Sequence, residues 1–354
     1  MKHLLSILFL IFVVRVSFAQ HTIPAAQPGT DDKHGLVKWL SFAEAQELNK
    51  KQQKPFLVDI YTDWCGWCKH MMRTTYSNPG ISNYINTYFY PVQLDAESKD
   101  TIEYQGVKYF NESPKPKSTH QLAIKFLGNN QSYPSTVFLC NNLQYTLNTA
   151  GYLDEKAIEP ILVFCVENIW RSVQFDDFKK YFNKAFIEQK EEDKTLNVYT
   201  LEEAQKLHAK KPRKWLLLVN TDWCNSCKIM KKTTFSDSLN KEYVNKNYYF
   251  VNLNPEQLDS VLFQGKTYKK SGKYGPFNDF VIEKCGGNLQ LPTLLVWDET
   301  LNKIDMIPYY LTPEAINPIL HFYAEDAYKS MKWQDYSEKF KKGELGKDDK
   351  KVKK

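Results

Sequence analysis

At 354 residues the chain has room for about two domains of ordinary size. Hydrophobic residues make up 42% and charged residues 25%, which excludes wholesale disorder. The net charge of +6 sits at the ends: residues 341–354 hold seven lysines against Glu344, Asp348 and Asp349, Lys2 and Arg15 add two more, and the body sums to about zero. No broad basic field is left to bind nucleic acid, and the tail reads as a solvated end.

Met1-Lys2-His3 is a short basic start, followed by the eleven-residue apolar run Leu4–Val14 and by Val16-Ser17-Phe18-Ala19, with small residues where a signal peptidase reads. Eleven residues make about 16 Å of helix against a hydrocarbon core of about 30 Å, so the run predicts a cleaved signal peptide (1–19) and no stable membrane insertion. The expected location is outside the cytoplasm, periplasmic or secreted, where disulfides persist. Residues 20–35, with Pro24, Pro28 and Gly29, read as a flexible lead-in.

From there the chain is one unit written twice. Thr62-Asp63-Trp64-Cys65 returns as Thr221-Asp222-Trp223-Cys224, an offset of 159. Cys68-Lys69 then matches Cys227-Lys228, and Thr74-Thr75-Tyr76-Ser77 matches Thr233-Thr234-Phe235-Ser236. Glu44-Ala45-Gln46 matches Glu203-Ala204-Gln205, and Gln105-Gly106 matches Gln264-Gly265. So long a period means two domains and not a solenoid. We place them at 36–187 and 198–343, with the charged stretch 188–197 between them and a basic tail at 344–354.

Each repeat predicts an amphipathic helix (Phe42–Lys50; Leu201–Lys210) and then a buried strand (Phe56–Tyr61; Trp215–Asn220). A helix opened by Cys-x-x-Cys follows, and then a second strand (Tyr88–Leu94; Tyr248–Leu253). Strand, helix, strand at this spacing is a βαβ unit with a parallel pair. The insertions Ala96–Thr119 and Pro255–Pro276 come next; Tyr104–Tyr109 suggests a small hairpin, read as surface decoration.

Cysteines three apart at a helix start share a face and can close a small disulfide ring. The first lies over the unpaired N–H groups and positive end of the helix, which favours its thiolate, so Cys65 and Cys224 are the expected nucleophiles. Cys68 and Cys227, one turn deeper, are placed to resolve a mixed disulfide. A shared zinc site is disfavoured, because zinc pairs usually lie about 15–20 residues apart. No metal is expected.

From Phe56 through Thr62-Asp63-Trp64-Cys65-Gly66-Trp67-Cys68-Lys69 the chain resembles the thioredoxin fold family, once per repeat. The resemblance implies an α/β chain of two tandem thioredoxin-like domains, each a mixed central sheet flanked by helices. It implies thiol–disulfide exchange with protein thiols and disulfides, with no cofactor beyond the redox-active cysteines and with a separate electron donor, a membrane reductase being one candidate. In that family a cis-proline faces the cysteine pair; Pro134 and Pro292 match it. The substrate-contacting residues it implies are Trp64, Trp67, Tyr133 and Pro134 in the first repeat, and Trp223, Leu291 and Pro292 in the second. Asp59 stands where the family carries a buried acid that assists proton transfer.

The repeats are not equal. Leu218 replaces Asp59, the dipeptides Gly66-Trp67 and Asn225-Ser226 differ, and Gln93 stands where the family has a lysine. The first site is therefore expected to exchange disulfides readily and the second more slowly or with another partner, in the reductase or isomerase direction. Cys140 and Cys165 could pair, which spacing does not decide, and Cys285, opposite Leu127, reads as a small buried hydrophobe. His70 could modulate the thiolate, but a solvated helix position is the plainer reading. The rival class is a peptide-holding scaffold with structural cysteines.

Overall fold

The computed structural model describes residues 35–140, 143, 145–192 and 194–346. The expected signal peptide, nearly all of the lead-in and most of the basic tail lie outside the described residues.

The first repeat runs α1 (Phe42–Lys51), β1 (Phe56–Tyr61), α2 (Gly66–Arg73), α3 (Pro79–Tyr88), β2 (Tyr90–Asp95), β3 (Ile102–Tyr104), β4 (Val107–Tyr109), α4 (Gln121–Leu127), β5 (Ser135–Cys140), β6 (Tyr145–Ala150), α5 (Glu155–Val166) and α6 (Phe175–Phe182). The sheet order is β2-β1-β5-β6, with β1 parallel to β2 and antiparallel to β5. Alternation along β1 sends Phe56, Val58 and Ile60 to the layer of α1 and α4, and Leu57 to the layer of α2, α3 and α5. Both faces of β1 are covered, so the strand reads as an unbroken apolar run interrupted only at Asp59. The second strand begins at Tyr90 and not Tyr88, because α3 runs on through Tyr88 and ends at Phe89.

The second repeat runs β7 (Val198–Tyr199), α7 (Leu201–Lys210), β8 (Lys214–Val219), α8 (Asn225–Ile229), α9 (Ser238–Asn247), β9 (Tyr248–Leu253), β10 (Ser260–Phe263), β11 (Lys266–Lys269), α10 (Asp279–Lys284), β12 (Thr293–Trp297), β13 (Lys303–Pro308), α11 (Pro313–Ala324) and α12 (Trp333–Lys341). Its sheet, β13-β12-β8-β9-β7, has the same core order; in the first repeat a single parallel bridge, Leu40 to Val92, stands where β7 would be.

The repeated sequence blocks mark matched joints. Ser41/Glu44 and Thr200/Glu203 form capping boxes that start α1 and α7. Gln105-Gly106 and Gln264-Gly265 turn the insertion hairpins with positive φ at both residues, the geometry of a tight two-residue hairpin loop. Gln46 and Gln205 then tie those hairpins to the first helix: their amides donate to Glu103 O at 2.9 Å and Leu262 O at 3.1 Å.

The two repeats share one apolar cluster. Phe178, Tyr181 and Phe182 of α6 pack with Leu216, Leu218, Ile229, Met230 and Tyr310 of the second repeat. The Tyr181 hydroxyl donates to Glu314 at 2.6 Å, and the Arg171 guanidinium lies between Trp170 and Tyr309. The exit helix of the first repeat is thus a core element of the second. Among the described residues no helix is long and apolar enough to cross a membrane.

Candidate active site

In the first repeat Cys65 is the N-cap of α2, and the Cys68 N–H points at its Sγ at 3.0 Å. The two form a disulfide and are 4% exposed. Around them stands an open aromatic rim. Trp64 and Trp67 are 55% and 62% exposed. Trp64 donates to Glu97 at 2.8 Å, meets the Tyr133 ring edge-on at 6.1 Å, and carries the Lys117 ammonium over its face. Trp67 packs with His70 and Tyr152, so His70 is half-buried, edge-on to Trp67, and not a free helix position. The Tyr133–Pro134 bond is cis, and the strand it opens places Ser135 opposite Ile60.

Asp59, on β1 six residues before Cys65, is 1% exposed. Its register partners are Gln93 on β2 and Thr136 on β5. The Tyr76 hydroxyl donates to its carboxylate at 3.5 Å and lies 3.4 Å from the Thr136 hydroxyl. Burial pushes the carboxyl up to about 7, with the Gln93 and Tyr76 side chains offsetting part of the rise. An acid poised there can give or take a proton at neutral pH.

The second site has the same backbone. Cys224 caps α8, the Cys227 N–H points at its Sγ at 3.1 Å, the two are disulfide-bonded, and the Leu291–Pro292 bond is cis. Trp223 is 53% exposed and donates to Glu256, as Trp64 does to Glu97. The surroundings differ twice over. Inside, Leu218, Phe235 and Leu294 replace Asp59, Tyr76 and Thr136, so the polar cluster has become an apolar one. Outside, Ser226 is fully buried where Trp67 is exposed, because Glu167 from the end of α5 lies on the dipeptide. The Glu167 carboxylate accepts from the Asn225 N–H at 2.9 Å, the Ser226 N–H at 2.8 Å and the Ser226 hydroxyl.

Each repeat matches a sequence family. Residues 30–179 match the DsbH-type thioredoxin family, described as a protein of unknown function, DUF255, and residues 201–324 match the thioredoxin-like domain family. The chain belongs to the thioredoxin-fold family. An uncharacterized protein of Archaeoglobus fulgidus is 33% identical over 63 residues, 18% of this chain; the chain spans half the length of that curated relative. Similar solved structures include a Thermus thermophilus thioredoxin (17% identity, 36% of this chain and 84% of that one, TM-score 0.27). A thioredoxin-fold protein from Helicobacter pylori matches at 17% identity over 46% of this chain and 93% of its own, TM-score 0.29. A DsbH oxidoreductase matches at 18% identity over 36% and 82%, TM-score 0.24.

Of the first-repeat residues the thioredoxin resemblance singled out, Cys65 and Cys68 are bonded, Trp64 meets Tyr133, Tyr133 precedes the cis Pro134, and Asp59 is buried on β1 beside Tyr76. In the second, Cys224, Cys227 and Leu291 lie in one apolar cluster, and Leu291 precedes the cis Pro292. Cys140 and Cys165 form a third disulfide, joining the end of β5 to the last turn of α5. Cys285 is the free cysteine, buried, its thiol pushed up to about 11 by desolvation. Glu167, Tyr76, Thr136 and Tyr152 escaped the sequence reading. Tyr76 had a signal, since its counterpart Phe235 lacks the hydroxyl just where Leu218 lacks the acid.

Proposed function

We propose that the protein is an exported thiol–disulfide oxidoreductase of the reductase or isomerase type, acting on the disulfides of other proteins chiefly through its first site. The observation that carries this is the constellation of a capped Cys65–Cys68 disulfide, an open tryptophan rim and a buried acid that titrates near neutrality. In the reduced enzyme the Cys65 thiolate attacks a substrate disulfide, and the first substrate sulfur leaves as a thiolate that takes a proton. Cys68, its proton passing toward Asp59, then attacks Cys65 Sγ and releases the second substrate thiol. The substrate gains two electrons and the Cys65–Cys68 disulfide forms; a separate dithiol donor must return the electrons. The expected membrane reductase donor and the periplasmic or secreted location belong to the same reading, supported by the N-terminal sequence pattern and by three disulfides in one chain.

Replacing the resolving cysteine tests it. Cys68→Ser should accumulate mixed disulfides through Cys65 with exported proteins, resolved as dithiothreitol-sensitive adducts on non-reducing gels. A peptide-holding scaffold would capture partners without covalent adducts, and would keep them when all four motif cysteines are alanine.

A further inference from the structure

The covered second site is not merely a degenerate copy. The segment Glu167–Arg171 of the first repeat touches it at both ends. Glu167 lies on Asn225 and Ser226, and Arg171 lies against Tyr309, whose N–H donates to Pro292 O at 2.8 Å. Glu167 Oε2 also comes within 3.9 Å of Cys224 Sγ, and the Ser226 hydroxyl bridges them at 3.5 Å from that sulfur. The segment is fixed in place: Cys165, two residues before Glu167, is tied to β5 by the third disulfide, and α6 just beyond is built into the second core.

We propose that Glu167 is a positioning residue for the second cysteine pair, donated across the repeat boundary, whose charge keeps the reduced Cys224 protonated and a poor nucleophile. Two effects act together. The carboxylate occupies the amides of Asn225 and Ser226, which would otherwise help hold a thiolate at the helix start. It also sets a like charge beside the sulfur in a buried place, where Coulomb interactions are weakly screened.

The twin residue supports a specific assignment. Glu325 ends α11 at the same repeat position, but it is held by His321 Nδ1 at 2.7 Å and by the Tyr243 hydroxyl at 3.2 Å, inside its own repeat. In the first repeat Val163 stands at the histidine position, and Glu167 turns instead to the neighbouring site. The ionisable groups facing Glu167 are Cys224 and Tyr84 of α3, whose phenol is pushed up by burial and by the Glu167 charge. Burial pushes the Glu167 carboxyl itself up, opposed by its bonds from Ser226 and Asn225.

The consequence for exchange rests on the oxidoreductase reading, whereas the test does not. The fully reduced full-length chain is pulsed with iodoacetamide across pH, and Cys65 and Cys224 are read separately by peptide mass spectrometry. In Glu167→Gln, which keeps the shape and loses the charge, the pH midpoint for Cys224 should fall by about one pH unit or more while that for Cys65 stays put. Glu167→Asp, which keeps the charge, should give a midpoint nearer the parent's. An unchanged Cys224 midpoint would overturn the proposal. So would a higher plateau at the same midpoint, since that reports shielding alone, or an equal shift at Cys65. If the midpoint moves yet neither site reduces a protein disulfide, the oxidoreductase reading fails and the role of Glu167 stands.

Discussion

The two cysteine pairs share a strand, a capped helix start and a cis-proline, yet one backbone has been given opposite surroundings. In the first repeat the interior is polar, with the Tyr76 hydroxyl within reach of both Asp59 and Thr136, and the exterior is open, with Trp64 and Trp67 in solvent. In the second the interior is apolar, with Leu218, Phe235 and Leu294, and the exterior is occupied by Glu167 and Arg171 of the neighbour. The buried acid of β1 is absent from the second repeat, and a carboxylate from the neighbouring repeat lies on its cysteine loop instead. On the proposed reading Asp59 takes the proton of the resolving thiol, whereas Glu167 opposes the Cys224 nucleophile. On that reading the same thioredoxin scaffold holds one site fit for turnover and one restrained.

Breaking the interior difference should cost most. Leu218→Asp puts a carboxyl among apolar neighbours, and the second repeat should lose on the order of 3–5 kcal/mol at pH 8 by urea denaturation. Adding Phe235→Tyr and Leu294→Thr should recover part of that, because they supply the donor Asp59 has in Tyr76 and the hydroxyl Tyr76 has beside it in Thr136; no recovery would mean the polar cluster is not what makes the acid tolerable.

Asp59→Asn should slow release of the second substrate thiol about a hundredfold at pH 8, seen as a long-lived mixed disulfide in single-turnover mixing. It should also alter stability with a definite sign. Folding raises this carboxyl from 3.8 to about 7, so between those values the folded chain holds a proton that the unfolded chain has released. The stability Asp59 allows is full below about pH 4 and is lost as pH rises through 7. The variant should therefore match the parent in Tm at pH 4 and exceed it increasingly toward pH 8.

Smaller effects belong to the rim. Trp64→Ala and Trp67→Ala should each raise KM for a protein disulfide several-fold, about 1–2 kcal/mol, with kcat little changed. Trp223→Ala, beside the covered site, should do little.

Much of this was legible in the chain. β1 and β9 fall on their expected residues, and the insertion hairpin lies where Tyr104–Tyr109 suggested, because alternation and turn residues act locally. The paired blocks Glu44-Ala45-Gln46 and Gln105-Gly106 turned out to be the two ends of one joint. What could not be read was docking. Glu167 reaches partners 57–59 residues further on, and the local differences from its twin Glu325, such as Val163 for His321 and Cys165 for Tyr323, do not say where it docks. The Cys140–Cys165 pairing stayed open for the same reason: β5 and α5 meet only through the sheet order. α6 reads locally as an exit helix, and only the shared apolar cluster reveals that it belongs equally to the next repeat.

The most direct test of the asymmetry is insulin-disulfide reduction by the full-length chain carrying Cys65→Ser or Cys224→Ser. The first variant should lose about tenfold or more of the rate and the second should keep most of it, since exchange follows the thiolate that is formed and accessible. Equal losses in the two variants would contradict the account.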